Sequence, residues 1–336
     1  MHVDSISGAG TRRGVVSVIV ASYNHARFLP ARMDSLLAQS YSKTEILVID
    51  DCSPDDSATI LHQYAAHSGI QLIERSQNGG WVEVSNQGIE LTDGEFVLFA
   101  NCDDACAPQM LERLVAALET HPEAGIAFCR SLMIDENSRV TGDDFALREV
   151  AFQRRCSQDT LLGRQEASLF LLESCIIPNL SAALFRRSVF NRIGVLSNRY
   201  RVCCDWDLFF RVAEHYDIAY VAEPLNHFRQ HSRTIRSSTR ERVVYEEYFR
   251  LLLGRIRALE LSALERLRYR THVMYLWAVH VIARPPAGIP NIPYHFMCIL
   301  KLDAAALLCL PIALLRRTAE VAIKLILGAR KTGSER

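Results

Sequence analysis

The sequence lacks the two glycine-rich signatures that most often mark a nucleotide site. Neither the G-x-G-x-x-G fingerprint of dinucleotide-binding domains nor the G-x-x-x-x-G-K-[ST] phosphate loop occurs in its 336 residues. Both signatures place backbone N–H groups at the start of a helix, where they bind phosphate. Their absence argues against a dinucleotide-dependent dehydrogenase and against a P-loop NTPase.

An excess of charge of either sign is also missing. Lysine and arginine together number 38, aspartate and glutamate together number 38, and the formal net charge is zero. Because binding to duplex nucleic acid depends on a positive field, nucleic acid is not an expected partner. The apolar share of 49% and the charged share of 23% are typical of a globular protein. The length allows one large domain or a domain with an appendage.

The ten cysteines show no pairing pattern. Their spacing is irregular and no C-x-x-C pair occurs, so a structural zinc site is not predicted. Many of them lie in apolar runs, where free cysteine behaves as a small apolar residue. Reduced thiols, together with the lack of a signal-peptide pattern at the N-terminus, predict a cytoplasmic protein.

What the sequence does contain is an alternation of apolar strand patterns with amphipathic helix patterns. The strand patterns occupy residues 15–21, 45–49, 70–74, 96–100 and 125–131. Strands that alternate with helices in this way predict an α/β fold with a mostly parallel, Rossmann-like sheet flanked by helices. In such sheets ligands bind at the carboxyl ends of the strands.

Pairs of carboxylates follow two of these strands, Asp50-Asp51 after the second and Asp103-Asp104 after the fourth. Adjacent carboxylates repel each other unless a cation or a donor satisfies them, and oxygen ligands of this kind suit Mg²⁺ or Mn²⁺. A surface turn with a helix cap is an alternative for the second pair. Ser53, Pro54 and Asp56 predict the start of a helix with Ser53 as its N-cap.

Two polar features lie further along the chain. Cys204–Leu208 opens an amphipathic helix whose first turn carries Asp205 and Asp207, and the helix dipole alone would explain acids at that position. A strand pattern at 218–222 is followed by Phe228-Arg229-Gln230-His231. Taken alone, His231 is more typical of a surface histidine than of a ligand.

Five of these stretches, in this order, resemble the motifs of the family 2 glycosyltransferases, which have the GT-A fold. They are residues 16–24 (Val-Ser-Val-Ile-Val-Ala-Ser-Tyr-Asn), Glu45–Ser57, Gly94–Asp104, Cys204–Leu208 and Phe228–His231. The resemblance extends over about residues 15–240. The chain departs from the family pattern at Asn101, where Asp is frequent, and at Cys204, where Glu is usual.

The resemblance implies an inverting glycosyltransferase that moves a sugar from a nucleoside-diphosphate donor, most often a UDP-sugar, to a hydroxyl of a glycan or lipid-linked acceptor. Such reactions build cell-surface polysaccharides and glycolipids. The resemblance implies Asp205 as the general base. It places Tyr23 and Asp51 at the nucleobase, with Ser22 and Asp50 beside them.

For the donor diphosphate, the resemblance implies a divalent metal ion, Mn²⁺ or Mg²⁺. Asp104 would hold this ion, His231 would approach the metal or the diphosphate, and Asp103 would contact the ribose or the sugar. One alternative is a GT-A scaffold that binds nucleotide or sugar without turnover. A nucleotidyltransferase is another, which the lack of a glycine-rich triphosphate loop after the first strand disfavours.

The sequence predicts three regions. They are a flexible N-terminus at 1–13, a catalytic domain at 14–240 and a helical C-terminal region at 241–336. Within the catalytic domain, residues 14–131 form the predicted nucleotide-binding half and residues 132–240 the acceptor-binding half.

The C-terminal region carries an apolar run, Ala304–Leu315, that is shorter than the roughly 20 residues of a spanning helix and contains Pro311. With basic residues on its flanks, it could lie in a membrane interface, at the inner face of the membrane. Packing against the catalytic domain or against a second subunit is the alternative.

Overall fold

The computed structural model describes residues 10–66, 70–232, 234–282 and 291–320. The chain forms two compact units. The first comprises residues up to Tyr200 together with Cys204–Thr234, and the second comprises Arg201–Cys203 together with residues from Ile235 onward. Residues 1–9 of the predicted flexible N-terminus lie outside the described residues, whereas the first strand already begins at Arg12.

A ten-stranded sheet forms the centre of the first unit. Its strands are β1 (Arg12–Ser22), β2 (Thr44–Asp50), β3 (Ile70–Glu74), β4 (Gly94–Phe99), β5 (Ala105–Cys106), β6 (Ala124–Ile134), β7 (Val140–Asp143), β8 (Thr160–Leu162), β9 (Ala183–Arg186) and β10 (Asp217–Arg229). Their order is β3-β2-β1-β4-β9-β6-β10-β5, with β7 paired to β6 and β8 paired to β10.

Strands β1 to β4 pair with one another in parallel, as the sequence predicts. Strand β9 lies between β4 and β6 and is antiparallel to both, so β4, β6 and β10 all point the same way. The carboxyl ends of β1, β2, β4 and β10 therefore lie along one edge of the sheet. That edge is where an open α/β sheet binds its ligand.

Helices cover both faces of this sheet. They are α1 (Leu29–Leu37), α2 (Ser57–Ala65), α3 (Trp81–Leu91), α4 (Met110–Thr120), α5 (Val150–Arg155), α6 (Arg164–Glu173), α7 (Arg187–Ile193) and α8 (Cys204–Ala213). Alternate residues of β2 face opposite ways: Ile46 and Val48 join one apolar cluster with α1 and α4, whereas Leu47 and Ile49 pack with Val84 of α3. Burial on both faces explains why the strands are unbroken apolar runs.

The predicted N-cap at Ser53 is wrong, because α2 begins only at Ser57. Ser53 instead donates its backbone N–H and its hydroxyl to the carboxylate of Asp50, at 2.9 and 2.6 Å. Asp55 accepts from the hydroxyl and the backbone N–H of Ser57, at 2.5 and 3.1 Å. Short polar side chains can form local hydrogen bonds that take the place of a helix N-cap. Here the carboxylates of Asp50 and Asp55 accept the donors of Ser53 and Ser57.

A buried arginine on α7 connects the sheet to the helix before β4. The Arg187 guanidinium donates to the carbonyls of Gly94 and Ile89, at 2.5 and 2.7 Å. It also donates to the hydroxyls of Ser17 and Thr92, both at 2.9 Å. Because these acceptors come from β1, β4 and the end of α3, one side chain satisfies polar groups of three elements.

The second unit is helical in its described residues. Its helices are α9 (Ile235–Ser238), α10 (Glu241–Ala258), α11 (Ala263–Ile282), α12 (Ile292–Leu307) and α13 (Leu310–Glu320). The buried carboxylate of Glu247 on α10 accepts the backbone N–H groups of Arg201, Val202 and Cys203, at 2.7, 2.8 and 3.1 Å. These bonds explain why that short segment belongs to the helical unit.

Among the described helices, none is by itself both long and apolar enough to cross a membrane. Helices α12 and α13 reach that length and composition only together, and they are bent by 84° at their junction. Residues 283–290, which include Pro285 and Pro286, and the residues after Glu320 lie outside the described residues.

Replacing Arg187 by Met should lower the free energy of unfolding by about 2–5 kcal/mol, because buried acceptors lose their donor. Urea denaturation of the parent and the variant measures this difference. Arg192→Met on the same helix is the matched control, since Arg192 is exposed and its guanidinium lies 6.0 Å from the centre of the Tyr216 ring. Equal losses in the two variants would contradict the assignment.

Candidate active site

The last residues of β1 and β2 lie side by side. Ser22 is in register with Asp50, and the backbone N–H of Asp51 donates to the Ser22 carbonyl at 2.8 Å. The Ser22 hydroxyl is buried and has no hydrogen-bond partner within the described part of the chain. Most buried polar groups in proteins are paired, so this hydroxyl is available to a ligand.

The loops after β1 and β2 are joined by a hydrogen bond, and each contains a residue with an uncommon backbone conformation. The backbone N–H of Asn24 donates to the Ser53 hydroxyl at 3.1 Å. Asn24 and Cys52 both adopt the left-handed backbone conformation, with φ of 56° and 61°. Non-glycine residues in this region are uncommon and cluster at functional sites.

The carboxylate of Asp51 organises a glycine turn. It accepts the guanidinium of Arg75 at 2.9 Å and the backbone N–H groups of Gly79 and Gly80 at 2.9 and 2.8 Å. Gly80 has φ of 87°, a conformation that favours glycine. Neither Arg75 nor its contact with Asp51 was predicted from the sequence. Tyr23, by contrast, leaves 43% of its surface exposed at the same edge.

Asp104 is enclosed by donors from the protein. Its side chain has no exposed surface. One oxygen accepts the backbone N–H of Arg229 at 2.9 Å, and the other accepts the amides of Asn179 and Asn101 at 2.7 and 3.3 Å. Burial and the neighbouring charge of Asp103 raise the pKa of Asp104 to about 7. Both oxygens are therefore engaged, which leaves this predicted metal ligand poorly placed to hold an ion.

Asp103 faces the other way, toward two histidines. Its carboxylate lies 3.0 Å from Nε2 of His231. One ligand atom each from His25, Asp103 and His231 fall within 4.8 Å of one another. Burial raises the pKa of Asp103, but the hydrogen bond with His231 and the charges of His25 and His231 outweigh it. The net effect is that the pKa of Asp103 lies below the ordinary value of an aspartate.

The donor atoms of His25, Asp103 and His231 are arranged in a way that suits a metal ion. Nδ1 of His25 donates to the Tyr23 carbonyl at 2.7 Å, because a carbonyl only accepts. In the neutral ring Nε2 then carries the lone pair, and this buried atom has no hydrogen-bond partner among the described residues. Metal-binding histidines are commonly oriented in this way through their other nitrogen. No role was predicted for His25 from the sequence, although it directly follows the Ser-Tyr-Asn motif.

Arg229 holds the loop that carries Asp103. Its buried guanidinium donates to the carbonyls of Asp103 and Asp135, both at 2.6 Å, and to the Ser138 hydroxyl at 3.0 Å. It also stacks over the ring of Phe28, 4.8 Å from the centroid. The sequence marked the Phe228–His231 motif without giving Arg229 a role.

Asp205, the predicted general base, lies in the first turn of α8 and is half-buried. Its Oδ1 accepts the backbone N–H of Trp206 at 2.7 Å. Asp207 in the same turn is buried and forms an ion pair with Arg211 at 3.0 Å. The two acids of this turn thus have different surroundings, and Asp205 is the more accessible of the pair.

Comparison with known proteins gives a consistent result. The family model described as glycosyl transferase family 2 matches residues 17–194. A PGL/p-HBAD biosynthesis glycosyltransferase of Mycobacterium bovis (strain BCG / Pasteur 1173P2) is 29% identical over 198 residues, 58% of this chain and 68% of the relative. Glycosyltransferase GlyG of Streptococcus pneumoniae serotype 4 is 26% identical over 191 residues, covering 55% and 61% of the two chains.

Solved structures with a similar fold include residues 1–349 of S. aureus TarS. The TM-score is 0.64 at 16% identity, with 87% of this chain and 82% of that chain covered. A complex of the same protein with UDP-GlcNAc gives a TM-score of 0.63, at 16% identity, with 86% and 83% covered. At this identity the likeness shows the shared GT-A fold.

Asp104→Asn should lower the free energy of unfolding by about 1–3 kcal/mol, because its new amide group would face the donors of Asn101 and Asn179. Asp103→Asn is the matched control one residue away, and it should have a smaller effect because Asp103 is partly exposed. Urea denaturation measures both. A neutral Asp104→Asn beside a strongly destabilised Asp103→Asn would reverse the roles assigned here.

Proposed function

This chain belongs to glycosyl transferase family 2, and from that premise we propose that it moves a sugar from a nucleoside-diphosphate donor to an acceptor hydroxyl, with inversion at the anomeric carbon. The GT-A fold and the glycosyltransferase relatives make it a transferase. One observation carries the finer proposal. The Asp51-bound glycine turn and the cluster of His25, Asp103 and His231 lie along the same edge of one sheet.

The nucleoside would bind at the ends of β1 and β2. The exposed ring of Tyr23 offers a surface for the base. Asp51, whose carboxylate oxygens are engaged by Arg75, Gly79 and Gly80, would hold the glycine turn beside it. Ser22 and Asp50 lie beside them, and the Ser22 hydroxyl supplies a donor. A UDP-sugar is the donor we favour, and the binding of UDP-GlcNAc by TarS supports this choice.

Asp103, His231 and His25 are the residues that would hold a divalent metal, in place of the Asp104 site that the sequence predicts. A bound metal would supply Lewis-acid neutralisation of the departing diphosphate. Two imidazole nitrogens beside one carboxylate favour Mn²⁺ over Mg²⁺, because Mg²⁺ prefers oxygen ligands. The engaged oxygens of Asp104 are the reason for this reassignment.

Asp205 would act as the general base. It lies in the first turn of α8 and is only half-buried, whereas Asp207 in the same turn is buried and paired with Arg211. The carboxylate would take the proton of the acceptor hydroxyl as that oxygen attacks the anomeric carbon. Attack on the face opposite the departing diphosphate inverts the configuration.

The acceptor we propose is a glycan or a lipid-linked glycan used in cell-surface polysaccharide or glycolipid synthesis. The support comes from relatives: one carries the name of PGL/p-HBAD biosynthesis.

Thermal unfolding of the parent protein with UDP, dTDP, GDP or CMP, each with and without Mn²⁺, tests the donor site. We expect one diphosphate to raise the midpoint strongly only when Mn²⁺ is present. A ligand at 100 times its dissociation constant adds about 2.7 kcal/mol of stability. Asp103→Asn should abolish the Mn²⁺-dependent part of the shift while the protein stays folded. A metal-dependent shift that survives in Asp103→Asn would contradict this metal site.

Asp205→Asn tests the general base. Its rate of nucleoside-diphosphate release, with a cell-envelope extract as the source of acceptor, should fall by about 10²–10⁴-fold. The donor-induced thermal shift should not change. Asp207→Asn is the matched control from the same turn and should keep a rate near that of the parent. Parental activity in Asp205→Asn would exclude this role, and a parent that binds donor without any turnover would favour the binding scaffold.

A further inference from the structure

Large apolar side chains are exposed on α12, at its C-terminal end and on α13. We call the apolar face the set of large exposed residues Phe296, Met297, Leu300, Leu308, Ile312 and Leu315. On α12 its members recur at three- and four-residue spacing, which places them on one side of the helix. Leu308 and Leu315 leave 79% and 70% of their surfaces exposed, unusual values for such residues.

The apolar face is not the side on which these helices pack within their own unit. Residues on the other side of α12, His295, Ile299 and Ala306, are fully buried. Asp303 on that side forms an ion pair with Arg270 of α11, at 2.7 and 3.1 Å. Because α12 already has a buried inner side, its apolar outer side needs a separate explanation.

Cations outnumber acids beside the apolar face. Lys301 and Arg316 are exposed there. From residue 293 to residue 319 the only acid in the sequence is Asp303, which is buried and paired. Glu320, the next acid, contacts Arg316 at 3.2 Å. An apolar surface bordered by cations complements a bilayer with anionic headgroups.

We propose that the apolar face binds the protein to the surface of an anionic lipid bilayer, with α12 and α13 lying in the interface. A second copy of the chain fits less well, because a symmetric contact through this face would bring like charges together. Helix α12 has 16 residues. At about 1.5 Å per residue it is shorter than the roughly 30 Å hydrocarbon core, so an interfacial position suits it.

Co-sedimentation of the full chain with lipid vesicles tests this proposal. The probes are vesicles of phosphatidylcholine mixed with phosphatidylglycerol and vesicles of phosphatidylcholine alone. We expect binding at least about 10-fold tighter to the anionic vesicles, and weaker binding as salt is added. Absence of binding to both vesicles would overturn the proposal, and so would equal binding to the two kinds.

Two variants locate the contact. The triple variant Phe296→Ser/Leu300→Ser/Leu315→Ser should lose vesicle binding, and its matched control Leu264→Ser/Leu267→Ser, exposed on α11 of the same unit, should keep it. Lys301→Glu changes one exposed charge without touching the packed side, and it should weaken binding by about 10-fold or more. Full binding in the triple variant and in Lys301→Glu would exclude this face.

The oligomeric state of the protein in solution distinguishes binding of a bilayer from binding of a second copy of the chain. If the parent is a dimer in solution, does not bind vesicles and becomes a monomer in the triple variant, the face is an interface between copies and the proposal fails. A donor-induced thermal shift in every variant confirms that the first unit is intact. Vesicle binding requires no sugar transfer, so this test stands apart from the test of the proposed function.

Discussion

The geometry of the candidate site depends on one buried carboxylate. Asp104 receives a backbone N–H from β10 and a side-chain amide from Asn179, and it thereby fixes the loop after β4 against the far half of the sheet. The backbone of Arg229 makes one of these bonds, and its guanidinium donates a hydrogen bond to the carbonyl of Asp103. A satisfied buried network of this kind is rigid, because breaking any bond leaves a polar group unpaired in a low-dielectric interior. Its consequence is that Asp103 is aimed at the histidines.

The pKa values of the adjacent residues Asp103 and Asp104 shift in opposite directions because their surroundings differ. Burial and the charge of Asp103 raise the pKa of Asp104, whereas the histidines lower the pKa of Asp103 below its usual value. The group with the lower pKa is the one that can offer a charged oxygen to a cation near neutral pH. The neighbour that holds a proton more readily is the one enclosed by protein donors. The pair behaves as one unit, in which the enclosed Asp104 sets the direction of Asp103, the residue we propose as a metal ligand.

The fold was largely predictable from the sequence, and the site only in part. Apolar runs buried on both faces and regular helical spacing predict β1 to β4 and their helices, because these patterns follow directly from the packing. Which of Asp103 and Asp104 faces the site was not predictable, since both lie in a loop where side chains do not alternate as they do in a strand. His25 joins Asp103 and His231 only through tertiary structure, across the ends of three strands. Ser53 shows the same limit, because the position of Asp50 decided its hydrogen bond.

The proposed bilayer contact and the proposed acceptor class support each other. A lipid-linked acceptor is confined to the surface of a membrane, so a protein held at that surface meets it at a much higher effective concentration than one in bulk solution. A water-soluble acceptor would offer no such gain. A soluble donor reaches the strand ends of the sheet from either setting, and the apolar face therefore contributes nothing to donor binding. If both proposals hold, the helical unit acts on the encounter with acceptor, while Asp103, Asp205 and their neighbours act on the chemistry.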